Sequence, residues 1–144
     1  MKLQANQLSS HLKKSLAPCY LVTGDEHLLV AEALDDIRDS ARARGFSMRE
    51  LHVATTGFDW AKLAASSGNL SLFAEQRIIE LRLPTGKPGR AGGQAIIELA
   101  EQSGAETLFI VTAPKLDRSA AASKWAKTLE RLGVSLTIWP VGLR

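Results

Sequence analysis

Five short apolar runs recur along this chain with a helical segment between each pair, and that alternation constrains the fold more than any other feature. The runs are Cys19 to Thr23, Ser47 to Ala54, Arg77 to Leu83, Thr107 to Thr112 and Ser135 to Trp139. Between them, apolar residues repeat at helical spacing. Val30, Leu34, Ile37 and Ala41 form one stripe from about His27 to Ala43, with Glu32, Asp35, Asp36, Asp39 and Arg42 on the other face. A strand that returns through a helix can pair only in parallel with its predecessor, because the crossover carries the chain back to the starting end. The expected fold is therefore α/β, a five-stranded mostly parallel sheet with helices on both faces. The runs around Leu21 and Ile110 are apolar at nearly every position, which places them at the sheet centre.

The remaining elements follow from local signals. Leu8, Leu12 and Leu16 predict a first amphipathic helix, stopped by Pro18. Gly45 is placed to end the long helix. Asp59 can cap a short helix from Trp60, and Asp117 or Ser119 begins a last helix bearing Trp125, Leu129 and Leu132. Pro84 to Gly93 reads as a loop and Gln94 to Gln102 as the next helix. The 144 residues suit one domain, with 45% hydrophobic residues to fill its core. The opening residues have no apolar stretch of signal-peptide length, and no segment is long enough to span a membrane. With one cysteine, Cys19, inside an apolar strand, a reducing cytoplasm is expected. A strand so close to the last residue reads as a domain cut from a longer protein.

This architecture commonly binds nucleotides at the first strand-to-helix turn. Here that turn is Gly24-Asp25-Glu26, with neither a second glycine nor a lysine and hydroxyl to follow. Two carboxylates at a helix start suit the helix dipole and repel phosphate. The second glycine cluster, Gly86 to Gly93, places Pro88 after Lys87 where a hydroxyl residue is needed. His11, His27 and His52 are not spaced for a metal, and no nucleophile elbow occurs. No catalytic residue, metal or cofactor is expected. The net charge of +3 includes a group at Arg38, Arg42, Arg44 and Arg49, readable as a solvated helix face or as a phosphate-tracking stripe.

One segment is unaccounted for. Leu70, Leu72 and Phe73 place three large apolar groups in four residues, around Ser71, between the turn residues Gly68-Asn69 and the polar Glu75-Gln76-Arg77. They can plug the sheet edge, or they can stand out as a knob for a partner's pocket.

The stretch from Leu70 to Pro84 resembles the central signature of the delta subunit of the bacterial DNA polymerase III clamp loader. Tyr20 to Glu26 is similar to that family's altered first turn, and Leu108-Phe109-Ile110-Val111 with Lys115-Leu116-Asp117 to its fourth strand and exit. The resemblance runs over essentially the whole chain. It implies a RecA-like, AAA+-type domain without a functional phosphate loop, Gly24, Asp25 and Glu26 marking its degenerate position. It implies that residues 1–144 are a single clamp-binding domain, the family's C-terminal helical domains lying elsewhere. It further implies that Leu70, Ser71, Leu72 and Phe73 contact the beta sliding clamp and favour opening of its ring during DNA replication. Other clamp-loader subunits would be partners mainly through the helical domains, and DNA only indirectly. The alternatives are a divergent nucleotide-binding ATPase domain, or a nucleic-acid-binding module using Arg38, Arg42 and Arg44.

Overall fold

The structure, a computed structural model, describes residues 1–68 and 76–139, with side chains over 1–65 and 76–139. Strands are β1 (Lys2–Gln4), β2 (Cys19–Thr23), β3 (Met48–Val53), β4 (Arg77–Arg82), β5 (Thr107–Ala113) and β6 (Val134–Thr137). Helices are α1 (Leu8–Lys14), α2 (His27–Ala43), α3 (Trp60–Gly68), α4 (Gly89–Gln102), α5 (Arg118–Ala121) and α6 (Lys124–Leu132). The strands form one sheet in the order β1-β6-β2-β5-β4-β3, and every pairing is parallel.

The sheet is buried on both faces because successive strand residues point to opposite sides. Tyr20, Val22, Ile78, Leu108 and Ile110 meet Leu8 and Leu12 of α1 and Val30, Leu34 and Ile37 of α2. Cys19, Leu21, Ile79, Leu81, Phe109 and Val111 meet Leu63 of α3, Ile96 and Leu99 of α4, and Trp125 and Leu129 of α6. Each fully buried aliphatic or aromatic side chain contributes about 1.5–3 kcal/mol relative to exposure. The central strands β2 and β5 are buried at nearly every position. Helix α2 ends as its sequence asks. Gly45 takes φ +103°, and the amides of Gly45 and Phe46 bond back to the carbonyls of Arg42 and Ala41.

Three sequence expectations are corrected. The sheet has six strands rather than five, because Lys2–Gln4 adds to the free edge of β6. A three-residue strand with one apolar side chain, Leu3, has no readable period, and its backbone pairing is what holds it. The glycine-rich stretch is not loop as far as Gly93, since α4 begins at Gly89. A Cβ on Gly92 would lie 2.5 Å from the Trp60 ring, so the glycine lets α4 approach α3. The last helical segment is two helices, with Asp117 capping α5 through the Ala120 amide at 2.7 Å and Ser123 heading α6.

Candidate functional site

The turn after β2 lies at the carboxyl ends of the parallel strands, and Gln76, the residue before β4, lies at their amino ends.

At the carboxyl end, Gly24 is required by packing. A Cβ there would stand 2.8 Å from the Ile138 carbonyl oxygen and 3.2 Å from Val30. Glu26 turns its carboxylate onto the Leu28 amide at 3.1 Å and so caps α2. Asp25 accepts a hydrogen bond from the Lys115 amide at 3.0 Å, tying the turn to the chain leaving β5. An anion-binding turn aims free amides at its ligand. In this one a carboxylate already occupies the α2 amino terminus and a second faces the same opening. The cleft beside it, lined by Gly24, His27, Val30, Arg82, Thr112 and Pro114, holds one arginine and no lysine.

The arginine group is engaged within the domain. Glu80, in β4 and only 2% exposed, faces α2. Arg38 grips it with two hydrogen bonds, Nε to Oε2 at 2.8 Å and Nη2 to Oε1 at 2.5 Å. Arg49 of β3 donates to the same carboxylate from its Nε. Burial by itself would raise the Glu80 pKa, but the bonds and charges of the two arginines outweigh it and hold the carboxyl below its ordinary range. Arg42 pairs with Asp39 at 2.9 Å, and Arg44 donates to the Leu12 carbonyl at 3.0 Å. Three of the four arginines are thus ion-paired and the fourth is hydrogen-bonded within the domain, where a nucleic-acid reading needs them free. Glu80 itself was missed in the sequence. Its one signal is a charge amid apolar residues in a strand.

Leu70, Ser71, Leu72 and Phe73 lie outside the described residues. Their flanks are described. Leu63 anchors α3 in the core. Past the segment, the Gln76 side chain donates to the Ala105 carbonyl at 2.9 Å, and its own carbonyl accepts from Ser47 at 3.1 Å. The segment thus departs from a fixed helix and returns to a fixed strand. Among the described residues no group of three or more His, Cys, Asp or Glu could hold a metal ion, and no helix is long and apolar enough to cross a membrane.

The chain resembles known proteins throughout this framework. It is 28% identical over 137 residues to DNA polymerase III subunit delta of Escherichia coli, covering 95% of this chain and 40% of that protein. The Haemophilus influenzae subunit of the same name is 30% identical over 127 residues, covering 87% and 36% respectively. The chain thus spans well under half the length of both relatives. Among solved structures, the Bacillus subtilis DNA clamp loader delta protein superposes with a TM-score of 0.66 at 18% identity, over 92% of this chain and 42% of that one. The RecA-like fold expected from sequence is the fold the two share. The family model described as "DNA polymerase III, delta subunit" matches residues 20–138, both candidate sites included, and the chain belongs to that family.

Proposed function

We propose that this domain is the part of the delta subunit that binds the beta sliding clamp, through Leu70, Ser71, Leu72 and Phe73, and favours opening of the ring. The observation that carries this reading is the family match across residues 20–138, which contains an apolar cluster rooted between α3 and β4. Leu72 and Phe73 are the anchors, entering an apolar pocket of the clamp, and a few such anchors supply most of an interface's affinity. Opening follows only if the domain binds the open ring more tightly than the closed one, since equal affinity for both shifts nothing. Other clamp-loader subunits join through the rest of the delta chain.

The domain contributes position rather than nucleotide chemistry. Asp25 and Glu26, on the amides of Lys115 and Leu28, stand where a phosphate-gripping turn needs lysine and free amides. Micromolar ATP binding by this chain would overturn that part.

Calorimetric titration against the cognate clamp tests the whole. Leu72→Ala and Phe73→Ala should each cost about 2 kcal/mol or more, about thirtyfold in Kd, with the circular dichroism spectrum unchanged. Unchanged affinity in both variants shows that the site is elsewhere.

A further inference from the structure

A groove adjoining the β2–α2 turn, with Thr23 and Lys115 in its wall, runs along the β1-β6 edge of the sheet, beneath α5 and α6. It encloses about 680 Å³ and is walled by Lys2, Lys115, Arg118 and Lys127, with Glu130 as its one carboxylate. Those walls carry as much net positive charge as the whole chain, whose formal charge is +3. Elsewhere the charges balance. Glu130 lies 3.6 Å from Lys2 and 3.9 Å from Lys127, so it partly neutralises those two. Lys115 and Arg118 have no carboxylate within ion-pair distance among the described residues. At the mouth stands Trp139, 42% exposed, with the Lys115 ammonium 4.8 Å from its ring centre.

We propose that this groove binds single-stranded nucleic acid, an unpaired base stacking on Trp139 and the adjoining phosphates meeting Lys115 and Arg118. The pairing of an exposed indole with unneutralised cations in one open groove carries the inference. A cationic channel tracks a phosphate backbone, and an aromatic ring at its side takes bases whatever their sequence. A duplex keeps its base faces stacked inside and could use only the cations. An acidic peptide could use the cations but gains little from the indole face. The Arg38–Arg44 stripe offers neither feature, because its cations are engaged and it bears no exposed aromatic ring. The groove would add a direct nucleic-acid contact to a domain otherwise expected to meet DNA only through its partners, and it does not depend on the clamp-binding assignment.

Tryptophan fluorescence of the 144-residue chain, titrated with a short oligothymidylate, tests this. Trp125 is buried, and Trp60 is half-buried against Phe58 and Gly92 outside the groove, so quenching that is lost in Trp139→Phe reports on Trp139. The expected result is saturable quenching whose log K falls with log salt at a slope of about −1.4, the release of two phosphates' counterions from a single strand. Lys115→Gln with Arg118→Gln should remove that slope. Trp139→Ala should lower affinity, read by filter binding, at least about fivefold, the least that one stacked base contributes. Arg42→Gln, outside the groove, should change neither. The proposal is overturned by an absence of binding, by equal binding in the double variant, or by polyglutamate competing as well as the oligonucleotide does.

Discussion

Replacing Glu80 by alanine takes one carboxylate from the interior and leaves the Arg38 guanidinium behind, its side chain only 12% exposed. Arg38 would then keep a single partner, Asp35 at 3.0 Å, which is itself solvent-exposed and so screened. Breaking a buried ion pair from one side costs about 3–5 kcal/mol, because the remaining charge stays desolvated. With a urea dependence of about 2 kcal/mol per molar, the unfolding midpoint should fall by about 1.5–2.5 M. Arg49 tempers the loss little: its side chain is 41% exposed and can turn to water. Removing both buried partners, Arg38→Met with Glu80→Leu, should cost far less than the single change, since no unpaired charge remains inside. The pH dependence gives an independent reading. A carboxyl whose folded pKa lies below its ordinary 4.5 contributes stability that is complete above 4.5 and lost as pH falls through the lowered value. The wild type should therefore weaken on acidification below that point by an amount that Glu80→Gln lacks. A loss under about 1 kcal/mol in Glu80→Ala, or equal losses in the single and double variants, would refute the reasoning.

Other outcomes follow from neighbouring contacts. Burial pushes the Cys19 thiol up to about 12, so it should resist a thiol reagent at pH 8 in the native protein and react on addition of denaturant. Tyr20 is fully buried, and its hydroxyl accepts from the Ala17 amide at 2.9 Å and meets His11 Nε2 at 2.8 Å. Tyr20→Phe leaves both without that partner and should cost about 1–3 kcal/mol by urea denaturation. Burial, then Arg44, lowers the His11 pKa. That contribution to stability is whole above 6.5 and declines as pH falls below it, a loss that His11→Gln should flatten. Gly92→Ala drives a methyl into Trp60 and should destabilise by about 1–3 kcal/mol, visible as a lower melting temperature.

The sequence was most legible where one period ruled a long segment. Helix α2 and strand β2 fall on the residues expected, because a stripe of Val30, Leu34 and Ile37 or a run of five buried strand residues admits no second arrangement. Legibility failed where the cause was distant. Gly89 to Gly93 has the composition of a loop, and only the Trp60 ring lying against Gly92 explains a helix there. β1 is set by a ladder to β6, more than a hundred residues along the chain. Glu80 falls unmarked inside a predicted strand, and its partner Arg38 belongs to a group readable as a solvated helix face or a phosphate-tracking stripe. Each hides the other, since neither side chain signals its ion pair without the fold. At the candidate sites, Glu26 does what its place at a helix start suggested, whereas the Asp25 bond to Lys115 spans ninety residues and could not be read locally.

The two ends of this sheet can diverge because they are mechanically separate. At the β2–α2 turn Glu26 satisfies the Leu28 amide and Asp25 fastens the turn to the chain leaving β5, so the helix start is capped without a bound anion. The amino end, meanwhile, is held by backbone and side-chain bonds from Gln76 and by the Leu63 anchor, none of which touches that turn. On the proposed reading, a segment that favours one state of its partner gains from being held rigidly, because any freedom it retains lowers the share of its binding energy that discriminates between the two states. The Glu80 clasp bears on the same point. It locks α2 and β3 to β4, the strand into which the segment returns. Variants that loosen the clasp while leaving Leu72 and Phe73 intact should therefore weaken discrimination between open and closed rings more than they weaken binding itself. Titration against a clamp with its ring interface weakened, beside one with it intact, separates the two, and an equal loss of affinity for both would show that rigidity plays no part.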